Sequence, residues 1–278
     1  MLYYVLLGST PMASDKQTLD RALALERQAH ELRSEGKTEE AFAAFDEAAT
    51  LYQSLKEHLK AALCFASAAT CWNIRTGWQP LRNAATRNDH AAHEALKARH
   101  YDYACSLFRE AALLYEKEGD FENYSHCFWW SQTADAKRSW GIFVHSKMEG
   151  GLGASPGDIR WRDRVAAFFR WLLNLFGRLT WGYGERPFRT FSLALCIIVG
   201  SALLYSLSGR ILHHGKIGPV SFWEALYFSI ITYSTVGFGD YLPIGWTRVL
   251  AAHEALAGIF LTPLFLISLP RRYLRMYR

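Results

Sequence analysis

Apolar positions in the first half of the chain follow a helical period. In Glu40–Gln53 (EAFAAFDEAATLYQ) and Tyr103–Glu116 (YACSLFREAALLYE), Ala and Phe recur at i, i+4 and i+7, the spacing of one buried helix face. The pattern predicts helices near 17–34, 37–53, 57–74, 80–98, 100–117 and 120–138, with Gly36, Gly77 and Gly119 at the joints. From Arg160 the pattern changes. Val165, Phe168, Phe169, Leu172, Leu175, Phe176 and Leu179 form one face of a helix, and Asp163, Ala167, Arg170, Asn174 and Arg178 form the opposite stripe. A basic amphipathic helix of this kind suits a membrane surface. Beyond it the polar positions vanish. Residues 188–208 carry one charge, Arg189, and residues 249–269 carry only His253 and Glu254 as ionisable groups. Each run matches the ~20 residues a helix needs to cross roughly 30 Å of hydrocarbon. Between them, Ser221–Ser234 is apolar and helix-capable but too short to span.

The helical half repeats itself. Phe45 and Phe108 stand 63 positions apart, and at the same offset Ala41 meets Ala104, Glu47-Ala48-Ala49 meets Glu110-Ala111-Ala112, Leu51-Tyr52 meets Leu114-Tyr115, and Cys64-Phe65 meets Cys127-Phe128. A fixed period of supersecondary size marks a stacked architecture. With Ala29 and Leu32 one helix earlier, the small–aromatic–small pattern resembles the tetratricopeptide repeat, although that family's Trp and Pro signature positions are not filled in register. The resemblance implies an antiparallel helical solenoid over residues 17–140, with a face able to hold a peptide or protein ligand. Trp72, Trp78, Trp129 and Trp130 either line such a surface or fill the end layers of the stack. His90 and His93 lie three apart on one helix without an evident third ligand, and are read as solvated.

Composition changes the picture in two respects. Half of the 278 residues are apolar, yet mean hydropathy is only −0.05, so the apolar content is concentrated in the two long runs and the chain is expected to be a membrane protein. Basic residues then orient it. Arg160, Arg162, Arg164, Arg170, Arg178, Arg186 and Arg189 precede or open the first run, and Arg271, Arg272, Arg275 and Arg278 follow the second, against Arg210, Lys216 and Arg248 between them. Positive residues favour the cytoplasm, which puts both chain ends inside a cell membrane crossed twice. The N-terminal MLYYVLLGSTPMAS lacks the basic opening of a signal peptide, and residues 1–16 are read as a disordered leader. Residues 141–159 are a Gly-rich linker. The five cysteines form no C-x-x-C pair and are expected reduced. No nucleophile–base pair or metal-ligand spacing suggests an enzyme, and neither a cofactor nor a nucleic-acid partner is implied.

One motif remains, STVGFGD, at Ser234–Asp240. Irregular backbone is tolerated in a bilayer only inside protein or along a water-filled path. Gly237 and Gly239 permit φ values other residues avoid, so successive carbonyls can face one way, and rings of carbonyls replace the hydration shell of K+. Thr235-Val236-Gly237-Phe238-Gly239-Asp240, following Ala225-Leu226-Tyr227-Phe228-Ser229 and Thr232, resembles the selectivity filter and pore helix of the two-transmembrane-helix potassium channels. The resemblance covers 187–270. It implies an all-α chain: a cytosolic helical repeat, an interfacial helix at 160–186, and a tetrameric pore. That pore has spans at 188–208 and 248–269, a pore helix at 221–234, a filter at 235–240 and a basic tail at 271–278. It further implies K+ sites at Thr235, Val236, Gly237 and Phe238, with Gly239 completing the filter and Asp240 accepting hydrogen bonds behind the outer mouth. Some members carry an acid where this chain has Ile231. Gly258 falls where such channels often hinge, Thr262-Pro263 adds a second bend from proline's missing N–H, and Glu254 is expected behind the filter or against a neighbouring subunit. A second reading makes the chain a membrane-anchored scaffold whose repeats bind a protein partner, with conduction vestigial.

Overall fold

A computed structural model describes residues 10–73, 80–144, 160–184, 187–213 and 215–273. The fold is mostly helical and divides into two compact units, one ending at Asn174 and the other starting at Leu175. Much of the expected leader, most of the Gly-rich linker, Gly77 and Trp78 lie outside the described residues.

In the first unit, α1 (Thr10–Ser34), α2 (Thr38–Ser54), α3 (His58–Asn73), α4 (Pro80–Lys97), α5 (Tyr101–Lys117) and α6 (Phe121–Val144) each pack on their sequence neighbours. The helix start at Thr10 takes in residues read as leader, and α6 runs into those read as linker. Four helix ends close in the same way. At each, one N–H reaches back five residues at 2.9 Å: Lys37 to Leu32, Glu57 to Tyr52, His100 to Ala95 and Asp120 to Tyr115. The residue before each of these is left-handed, with φ of 80° at Gly36, 60° at Lys56, 62° at Arg99 and 75° at Gly119. This double-bonded helix stop satisfies carbonyls that would otherwise be orphaned. Gly36 and Arg99, and Lys56 and Gly119, are the 63-residue equivalents of one another. The period therefore covers three helices, α1–α3 repeating as α4–α6.

Burial follows the same period. Phe45 and Phe108, Ala41 and Ala104, Ala48 and Ala111, Tyr52 and Tyr115, and Cys64 and Cys127 are all buried. Small Ala faces let the helices approach closely while each Phe fills the space left between them. Removing either ring would cost about 3–5 kcal/mol. The even helices also touch one another. Arg87 of α4 forks onto Asp46 of α2 at 2.6 and 3.1 Å, and His93 of α4 stacks with His126 of α6. Glu94 is buried and ties α4 to its neighbours, accepting from Gln53 at 3.0 Å and bonding His58 at 2.7 Å and Lys97 at 2.6 Å.

Helix α7 (Trp161–Thr180) crosses the boundary between the units. Its contacts correct the expected two-faced pattern. Ala167 is buried, Phe168 meets Phe143 at 5.1 Å, Trp171 meets Trp140 at 4.8 Å, Arg164 donates to the Phe143 carbonyl, and Asn174 donates to Asp135. The side against α6 thus combines the small and amide positions of the stripe read as polar with Phe168, which was placed on the apolar face. Val165, Phe169, Leu172, Leu173, Phe176 and Leu179 remain exposed.

The second unit contains α8 (Pro187–Ser208), α9 (Phe222–Tyr233) and α10 (Thr247–Tyr273). α8 and α10 are each long and apolar enough to cross a membrane. Only 22% and 17% of their apolar windows are buried, whereas a core helix of a water-soluble protein would be mostly covered. On α10 the buried positions Thr247, Glu254, Leu261 and Ser268 recur every seven residues, a stripe that faces protein. The all-α expectation needs one correction. β1 (Ile211–His213), β2 (Lys216–Gly218) and β3 (Tyr241–Pro243) form a small antiparallel sheet in the order β2-β1-β3, with Leu212 opposite Leu242 and His213 opposite Tyr241. Three-residue strands are too short to leave a period in the sequence, and pairing across about thirty residues is a tertiary event.

Candidate functional site

The site is built on α9. Ser221 caps it: its hydroxyl accepts from the Glu224 N–H at 3.3 Å and its own N–H donates to Glu224 Oε2 at 2.8 Å, a reciprocal cap that fixes where the helix starts. Its twelve residues extend about 18 Å, well short of a bilayer crossing. At the far end the chain turns back on itself. The Ile231 carbonyl accepts from both Val236 N at 3.0 Å and Gly237 N at 3.2 Å, and Thr235 N donates to the Thr232 carbonyl at 3.0 Å.

From there the backbone alternates in hand. φ is +58° at Thr235, +53° at Gly237 and +81° at Gly239, and it is not positive at Val236 or Phe238. Val236 N and Gly237 N both face the Ile231 carbonyl, so two successive N–H groups point to one side. Gly237 and Gly239 have nothing within 4 Å of an added Cβ, so backbone conformation and not space selects glycine there. Thr235 was expected as a ligand, but not as a left-handed residue. A β-branched side chain at positive φ is an outlier, the kind of local strain that gathers at functional sites. Every residue of 235–240 is exposed, with Val236 at 55% and Phe238 at 69%.

The surroundings hold this segment from three directions. Tyr227 of α9 lies near Asp240, which accepts from Tyr241 N at 3.2 Å. β3 takes up the chain directly after Asp240 and pairs with β1, while Ile244 N and the Thr247 hydroxyl both donate to the Arg210 carbonyl, at 3.0 and 3.1 Å. Below, Glu254 of α10 is buried and accepts from the Tyr205 hydroxyl of α8 at 2.8 Å and from the Ser229 hydroxyl of α9. One carboxyl thereby joins all three helices inside a single chain. Tyr227 and Ser229 entered the sequence reading only as part of the pore-helix pattern, and Tyr205 was not singled out, its only signal there being a hydroxyl within an apolar run.

The bend positions fare differently. A Cβ on Gly258 would stand 1.8 Å from the Tyr233 carbonyl oxygen, so this glycine lets α10 lie against the end of α9. α10 continues through Pro263 and Pro270. Ile231, at the position where an acid occurs in some channels, is buried, and its carbonyl holds the turn.

Residues 192–273 match the family model described as an ion channel. The match takes in most of α8, all of α9, the 235–240 segment and α10, and it supports an ion channel in the membrane. No curated protein and no solved structure matches the chain.

In the first unit the expected solvated histidines separate. His90 is exposed, with its ring edge-on to Phe65, while His93 is half-buried against Phe108 and Trp130. Its hydrogen bond with Asp89 raises His93 above the usual histidine value. Burial works to raise Asp89, but the bonds from His93 outweigh it and hold the carboxyl low. Trp72 packs on Phe42 and Trp129 on Trp130.

Proposed function

We propose that four copies of this chain form a K+-selective channel, with Thr235, Val236, Gly237 and Phe238 supplying the carbonyls that coordinate the ion. The observation that carries this reading is the alternating sign of φ from Thr235 to Gly239 at the end of a half-length helix between two apolar spans. Four strands of inward carbonyls would surround a dehydrated K+. Asp240, near Tyr227, would brace the outer mouth, with both chain ends on the cytoplasmic side. Helices α1–α6, read as tetratricopeptide-like repeats, would serve assembly or gating. The exposed apolar stripe of α7 from Val165 to Leu179 would lie on the membrane surface. Gly258 and Pro263 are the positions at which α10 would bend.

Flux of K+ and Na+ into liposomes containing the purified full chain tests the reading. K+ flux far above Na+ flux is expected, with the preference lost in Gly237→Ala. No flux from a well-folded tetramer would favour the scaffold reading, and undiminished selectivity in Gly237→Ala would remove the filter assignment.

A further inference from the structure

The two copies of the helical repeat act as controls for one another. At the 63-residue offset, Glu26, His30, Phe45, Tyr52, Leu63 and Cys64 correspond to Asp89, His93, Phe108, Tyr115, His126 and Cys127. Part of this set is unchanged. His30 stands edge-on to Phe45 at 5.0 Å and His93 edge-on to Phe108 at 4.9 Å, and both cysteines are buried.

Two exchanges set the second copy apart. In the first copy the acid is long, and Glu26 Oε2 accepts the Tyr52 hydroxyl at 2.7 Å. In the second the acid is Asp89, one carbon shorter, and the Tyr115 hydroxyl lies instead 3.1 Å from Thr86 Oγ1. Asp89 Oδ1 is 3.3 Å from His93 Nδ1 and 3.6 Å from Cys127 Sγ. The other exchange replaces Leu63 by His126, an exposed residue that adds a nitrogen donor. Ligand atoms of Asp89, His126 and Cys127 all lie within 4.8 Å of one another.

We propose that Asp89, His126 and Cys127 form a binding site for a zinc-class divalent ion. The donor set of one sulfur, one imidazole nitrogen and one carboxylate oxygen excludes Mg2+ and Ca2+, which take oxygen ligands, and suits a borderline-soft ion. Tetrahedral bonds of ~2.0–2.3 Å put neighbouring ligand atoms ~3.3–3.6 Å apart, and the Asp89–Cys127 pair already has that separation. His93 donates from Nδ1 to the Asp89 carbonyl at 2.9 Å and faces its carboxylate, orienting the ligand from behind. His126 is exposed, so water can reach the ion as a fourth ligand. Binding breaks two hydrogen bonds and releases one proton. The Cys127 thiol releases its proton to solvent, because the thiolate is the ligand. The Trp130 indole N–H, now 3.0 Å from His126 Nε2, withdraws, because a neutral imidazole has a single lone pair to offer.

Co2+ titration of the full chain in detergent, with Zn2+ as competitor, tests the site. The wild type should develop a near-ultraviolet thiolate-to-cobalt charge-transfer band that Zn2+ abolishes. The band should vanish in Cys127→Ser and persist in Cys64→Ser, the matching thiol of the first copy. His126→Leu, which installs the first copy's residue at an exposed position, should weaken binding at least about tenfold. Trp130→Phe should tighten it about fivefold by removing a competing hydrogen bond. A wild type without the band, or an equal band in Cys127→Ser, overturns the proposal. Should Cys127→Ser misfold, unchanged affinity in His126→Leu overturns it equally.

Discussion

At Gly258 an added Cβ would stand 1.8 Å from the carbonyl oxygen of Tyr233, whereas at Gly237 it would meet nothing within 4 Å. Substitution should therefore fail in two distinguishable ways. Gly258→Ala must push α10 off the end of α9, and no flexible side chain is available to yield. We expect loss of both the assembled species on size-exclusion chromatography and ion flux. Gly237→Ala has room but occupies φ of +53°, a conformation costing a residue with a Cβ roughly 1–2 kcal/mol. We expect it to assemble and to lose discrimination between K+ and Na+. An assembled, conducting Gly258→Ala would show that α10 does not need this close approach. Glu254 belongs to the same scale: a carboxyl in an apolar helix is expensive in lipid, and hydroxyl donors from α8 and α9 make it tolerable.

Among the elements, the four matching helix stops give a clean comparison, since two use glycine and two use Lys56 and Arg99 at the same left-handed φ. Lys56→Gly and Arg99→Gly should each stabilise the chain by about 0.5–1 kcal/mol, the left-handed strain relieved less the extra chain entropy of glycine. Thermal unfolding followed by circular dichroism checks this, and a lowered midpoint in both variants would contradict it. Helix α4 offers a pH-dependent counterpart. Burial works to raise Glu94, but bonds from Lys97, His58 and Gln53 outweigh it and hold the carboxyl below its ordinary value of 4.5. A depressed carboxylate contributes stability above its unfolded-state value and loses it as pH falls through the folded one. Glu94→Gln should thus destabilise at neutral pH by about 1–3 kcal/mol, and its difference from wild type should shrink below pH 4.5. A difference constant from pH 7 to pH 3 would exclude the charge as the cause.

For the molecule as a whole, the exposure of Val236 and Phe238 in a single chain poses a packing problem that copies of the chain can solve. In the proposed channel one strand would offer one carbonyl at each level, and a closed ring with fourfold symmetry would complete each cage. Native mass measurement in detergent should give four chains. A monomer or dimer that still conducts would exclude this assembly. The seven-residue stripe of Thr247, Glu254, Leu261 and Ser268 is already covered within one chain, so contacts between copies must use other faces of α10.

Periodicity and local chemistry gave the helices of both units, the 63-residue repeat and the two apolar spans. Each of these depends on residues close in the chain, where spacing alone says which face is apolar. Gly237 and Gly239 were legible because a missing Cβ has a local meaning. The rest needed three dimensions. The β1–β3 pairing and the carboxyl of Glu254 between Tyr205 and Ser229 join residues 25 to 49 positions apart, and no spacing rule reports such partners. Phe168 turned inward because α6 lies against α7, and a helical period cannot say which side a neighbour will take. Thr235 is left-handed because the Ile231 carbonyl draws Val236 and Gly237 back over the helix end. Its own side chain would have chosen otherwise.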